Sequence, residues 1–157
     1  MFRLFIVMLG VLTPLCASGE CGPDNAQIKL GLSPEALAVR SALLSQLCAD
    51  GKGIVVDITD TTLAGRFTPP RQMTIADRSD LNPSSSIGHL ILMFLVDVDG
   101  SVKKPTVLVS SGDKTLDEQT VKVWPYHSFK QPGKLDGHPV RVLSYFKFRT
   151  KVNGVSG

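Results

Sequence analysis

A chain of 157 residues with 43% hydrophobic residues has enough apolar material for a single core. Its net charge of +3 is too small to mark a nucleic-acid binder, and no cluster of Arg and Lys interleaves with aromatic residues.

Met1 to Gly19 reads as a targeting segment. Arg3 supplies a positive n-region, Leu4 to Leu15 an apolar stretch, and Ala17-Ser18-Gly19 the small residues of a cleavage site. As a helix, Leu4 to Gly19 spans about 24 Å, short of the roughly 30 Å hydrocarbon core. A cleaved export signal is therefore expected in place of a membrane anchor, with Glu20 starting the exported chain. No lipoprotein-type signal precedes Cys16 or Cys21, so acylation is not expected. Cleavage removes Cys16 and leaves Cys21 and Cys48, an even pair that reads as one disulfide in an oxidising compartment. Two unpaired thiols are the alternative. The 26 residues between them make a loop whose closure stabilises by roughly 3 kcal/mol in the entropy account. Neither cysteine sits in Cys-x-x-Cys, which argues against redox catalysis.

Glu20 to Leu32 reads as an irregular tether. Ser33-Pro34-Glu35 then opens a helix with Ser at the N-cap, Pro at the first helical position and an acid in the first turn. Ala36, Val39, Leu43, Leu44 and Leu47 recur at helical spacing as one apolar face, and Ala49-Asp50-Gly51 ends the helix. Cys48 falls in its last turn. Ile54 to Thr59 is short and β-branched and reads as a strand. Thr61 to Ser86, which includes Phe67-Thr68-Pro69-Pro70, reads as a linker with one helical turn around Ile75 to Arg78.

The longest apolar run follows. Leu90, Leu92, Phe94, Val96 and Val98 line one face of an extended strand, and Ile91, Met93 and Leu95 the other. Asp99-Gly100 then supplies a tight turn into a second strand, Ser101 to Ser110. A strand apolar on both faces sits centrally and needs covering above and below. Pro105 lacks a ladder donor and marks the second strand as an edge. Ser110-Ser111-Gly112-Asp113 is a turn, and Thr115-Leu116-Asp117-Glu118 matches a capping box. Leu116, Thr120, Val123 and Trp124 share one face of that helix, which Pro125 ends. After the turn at Asp136-Gly137, a last strand runs from Pro139 to Thr150. Val140, Val142, Phe146 and Phe148 point one way, and Arg141, Tyr145, Lys147 and Arg149 the other.

The expected fold class is α+β: a three-stranded antiparallel sheet with a β-β-α-β core, and an extra N-terminal helix, Pro34 to Cys48, covering the second face. The expected divisions are a signal at 1–19, a helical extension at 20–66 and a domain at 67–157.

Other chemistry finds little support. Asp97-x-Asp99-Gly100 hints at a calcium loop, yet Val102 and Leu108 stand where such a loop needs Gly and Glu. His89, His127 and His138 lack metal-ligand spacing, and Ser110-Ser111-Gly112 is not a nucleophile elbow. Asp117 and Glu118 are accounted for by capping and the helix dipole. Trp124 reads as a core anchor. No enzyme, cofactor or small-molecule substrate is expected.

Together VDVDGSV, VSSG, TLDEQTVKVW, FKQP, DGHPVRV and FKF resemble, in order and spacing, the TonB C-terminal domain over about sixty residues from Leu90 to Thr150. Phe67-Thr68-Pro69-Pro70 is similar to the aromatic-Pro segment ahead of that domain. The resemblance implies a periplasmic module that binds TonB-dependent outer-membrane receptors, whose short box segment adds as a strand beside the domain's last strand. Carried over, the accepting edge is Val140, Arg141, Val142, Leu143, Ser144, Tyr145, Phe146, Lys147 and Phe148. Arg141, Tyr145, Lys147 and Arg149 would flank the guest and favour acidic neighbours, or else form a solvated strand face. An envelope-assembly module that self-associates through the same edge, as a homodimer, is the alternative. Four features depart from a full energy transducer: the apolar segment is short and reads as cleavable, a helix with a cysteine expected in a disulfide replaces a Pro-rich spacer, a Ser/Asn/Pro passage replaces the helix before the first strand, and Trp124 to Phe129 is longer than the usual pattern.

Overall fold

A computed structural model describes residues 29–74 and 89–149. The targeting segment, Cys21 and the helical turn expected at Ile75 to Arg78 lie outside the described residues. In chain order the elements begin with α1 (Pro34–Ala49), β1 (Val55–Asp57), β2 (Phe67–Thr68), β3 (Arg71–Thr74), β4 (His89–Val96) and β5 (Val102–Val109). They continue with α2 (Lys114–Val123), a 3-10 turn (Trp124–Tyr126), β6 (Ser128–Gln131), β7 (Lys134–Leu135), β8 (His138–Pro139) and β9 (Arg141–Arg149).

Every residue of β4 after His89 is buried, as a central strand requires. The main sheet has the order β1-β9-β4-β5, with β4 antiparallel to both neighbours. It therefore has four strands where three were expected. The fourth is β1, which runs parallel to β9 with Val55 opposite Arg141, Val56 opposite Val142 and Asp57 opposite Leu143. Val55 and Val56 are both buried, in separate apolar layers on the two faces of the sheet. Burying one valine on each face is what holds so short a strand in place. The core thus runs across the division expected at residue 66.

One layer gathers Leu90, Leu92, Phe94, Val96, Val142 and Trp124. Trp124 is fully buried and lies against Phe94, Phe146 and Phe148 at ring-centroid distances of 5.4, 5.0 and 5.7 Å. The other layer places Leu47 of α1 with Val55, Met93, Leu95 and Leu143, and α1 covers this face as expected. Ala36, Leu43, Leu44 and Leu47 of the expected face turn inward, but Val39 is 46% exposed, and Arg40, at 2%, joins the inner side.

At the β4–β5 turn, the Gly100 N–H donates to the Asp97 carbonyl at 2.9 Å, and Gly100 adopts φ 82°. The Phe129 N–H donates to the Gly100 carbonyl at 2.8 Å, so a side chain at Gly100 would collide with the Phe129 carbonyl oxygen. β5 is an edge, as Pro105 requires, and its register against β4 shifts twice, with Lys104 at φ 52° beside the proline.

α2 begins two residues earlier than the expected capping box. Asp113 is its N-cap, its carboxylate accepting from the N–H groups of Thr115 and Leu116 at 2.9 and 3.2 Å. Asp117 stands in the first turn, as the dipole favours, and has a further role. Its carboxylate accepts from the Ser111 N–H and from the hydroxyls of Ser110 and Ser111, locking the Ser-Ser-Gly turn. Part of the expected linker is also ordered structure: β2 pairs with β7, and β3 with β6. The turn joining β7 to β8 has both Asp136 and Gly137 at positive φ, as a two-residue hairpin demands.

Candidate functional site

The site expected from the sequence is the free side of β9. Its backbone groups alternate: the Arg141 N–H donates to the Ile54 carbonyl at 3.2 Å, and the Leu143 carbonyl accepts from the Ile58 N–H at 3.0 Å. The odd-numbered residues of β9 thus face away from β4, and the even-numbered ones face β4. β1 fills this side only from Arg141 to Leu143. Among the described residues nothing pairs with Tyr145, Lys147 or Arg149 there.

The expected edge, Val140 to Phe148, is therefore closed at its start from within the chain. Val140 donates its N–H to the Gly133 carbonyl at 2.9 Å, and Arg141, Val142 and Leu143 lie alongside β1. Val142, Phe146 and Phe148 turn toward the Trp124 layer, Ser144 is buried, and Leu143 and Tyr145 turn toward α1.

Two side chains expected to flank a guest are engaged internally instead. Arg141 is only 2% exposed. It donates to the Asp50 carboxylate at 2.7 Å and to the carbonyls of Leu47 and Gly53 at 3.0 and 2.8 Å. It thereby satisfies a carbonyl at the end of α1, and its hydrogen bonds hold the Asp50 carboxyl down at about 2, helped by the Lys52 N–H. The Tyr145 hydroxyl donates to Asp57 at 2.6 Å and accepts from Arg40 at 2.8 Å. Burial first, then the Asp57 charge, pushes its ionisation far above the usual phenol range. Lys147 is exposed.

Sequence reasoning missed the pair beneath this edge. Arg40 and Asp57 form a buried ion pair at 2.8 Å. Asp57 also accepts from the Thr59 N–H and hydroxyl at 2.8 and 2.6 Å, which bends the chain off the sheet as soon as β1 ends. The signal was present in the sequence as an Arg in the middle of an apolar helical face and an Asp between Val56 and Ile58 in a β-branched run. Two opposite charges in positions that otherwise read as core point to each other.

Among the described residues no helix is long and apolar enough to cross a membrane. Fold and edge define a class: an α+β module that presents part of a sheet edge beside a row of buried polar anchors. Residues 85–150 match the family described as Gram-negative bacterial TonB protein C-terminal. The family fits a TonB-like role in envelope transport. The solution NMR structure of the Pseudomonas aeruginosa TonB CTD aligns at 14% identity and a TM-score of 0.36, over 62% of this chain and 96% of that one. No curated protein matches the chain. α1 and β1 both lie outside the matched residues.

Proposed function

We propose that the protein is an exported TonB-like module that takes up an extended segment of an envelope partner, a box-like peptide of an outer-membrane receptor, by strand addition to β9. The observation that carries this is the stretch of β9 beyond the end of β1, where the outward backbone groups of Tyr145, Lys147 and Arg149 have no strand partner among the described residues. Outward N–H and C=O groups in an exposed edge are a template for another strand, and main-chain hydrogen bonds supply the affinity. The edge is narrower than the sequence suggests, because β1 already covers Arg141 to Leu143. The other expectation, self-association, drew on the two apolar faces of β4, and α1 and the Trp124 layer cover both within one chain.

An NMR titration of the labelled chain with synthetic receptor-box peptides tests the proposal. Shifts concentrated at Ser144 to Phe148 support it, and peptides that leave those amides unmoved refute it. Sedimentation run beside it reports whether a second copy takes the edge instead. Export and the Cys21–Cys48 bridge are proposed alongside. Mass spectrometry of the periplasmic fraction should find a chain starting near Glu20 with the two cysteines joined, and an intact Met1 would overturn the export reading.

A further inference from the structure

We infer that β1 is a register stop, so that the guest is a short acidic peptide seated on residues 144–149 alone. The inference rests on the strand-addition reading and sets its limits. A guest lying along β9 occupies the same row as β1 and must end where the chain turns at Ile58 and Thr59. That turn is fixed: the Asp60 N–H donates to the Asp57 carbonyl at 2.9 Å, Asp57 holds Thr59, and the Lys29 Nζ donates to the Thr59 carbonyl at 3.1 Å. β1 itself does not give way readily, since Val55 and Val56 are buried in opposite layers and Asp57 is paired to Arg40 and Tyr145. Removing it would strand the buried Arg40 without its partner.

The remaining ledge offers outward backbone groups at Tyr145, Lys147 and Arg149, enough for a guest of about six residues at strand spacing. Asp57 is neutralised by Arg40, and the Asp60 carboxylate is turned to the N–H and hydroxyl of Thr62, while Lys29 stands at the stop and Lys147 is exposed on the same face as Tyr145. An acidic side chain on the guest therefore meets Lys147, and a basic one meets repulsion. With Arg141 and Tyr145 engaged internally, Lys147 is, among the described outward side chains of β9, the one left to discriminate.

The test titrates the full chain with acidic peptides of four to ten residues, using wild type and Lys147→Glu. Affinity should rise with length to about six residues and then flatten, with the amides of Val55 to Asp57 unmoved. Lys147→Glu should weaken the acidic peptides roughly three- to tenfold and favour versions carrying Lys in place of the acid. Affinity that keeps rising while Val55 to Asp57 shift would mean the guest displaces β1 and would overturn the stop. An unchanged charge preference in Lys147→Glu would overturn the acidic specificity. Peptides that bind nowhere on residues 144–149 would remove the strand-addition reading itself.

Discussion

Asp57 joins three parts of the chain: Arg40 of α1, Tyr145 of β9, and the Thr59 turn. Cutting it back to alanine leaves a guanidinium buried without a counter-charge. We expect Asp57→Ala to cost about 3–5 kcal/mol by denaturant unfolding. Replacing Arg40 and Asp57 together with apolar residues of similar size should cost much less, because no lone charge remains. Gly100→Ala should lose about 2 kcal/mol or more, since it combines positive φ with a collision against the Phe129 carbonyl. Of these partnerships the sequence carries only the two opposite charges, Arg40 and Asp57, set among core positions. Tyr145 stands 88 residues from Asp57, and nothing local says that the two will meet. The Asp-Gly turn, by contrast, was legible, because its requirement for positive φ is written into two adjacent residues.

The α1–β9 clamp links elements through Arg141 and the Asp50 carboxylate. The Asp50 carboxyl is held at about 2, below its ordinary value near 3.8. A carboxyl depressed in the folded state stabilises the fold at pH above its unfolded value, and that contribution is lost as pH falls through the folded one. The urea midpoint should therefore drop between about pH 4 and pH 2, and Asp50→Asn should flatten part of that slope. An identical slope in Asp50→Asn would show that the clamp contributes nothing. Elements with a long period were readable in advance: α1 from its cap, β4 from its two apolar faces, β9 from its alternation. Strands of two to four residues, β1 to β3 and β6 to β8, carry too few residues for a period. They exist because a distant partner pairs with them. The N-cap was misplaced because Asp113 and Thr115 both suit the role, and only the fold decides which oxygen meets the free N–H groups.

Across the molecule, the extension ahead of residue 85 is part of the main sheet. It covers one face with α1 and fills the first third of one edge with β1, and what it leaves open is the ledge proposed to take the guest. The closing strand was the least foreseeable feature, because Ile54 to Thr59 reads as a strand without reading as a neighbour of β9. Amide hydrogen exchange on the free chain tests the open edge most directly. The Tyr145 and Lys147 amides, which face away from β4, should exchange at least about a hundredfold faster than those of Ser144 and Phe146, and should slow once a receptor-box peptide is added. If Tyr145 and Lys147 are already as protected as Ser144 and Phe146 in the free chain, that side of β9 is covered and the account fails.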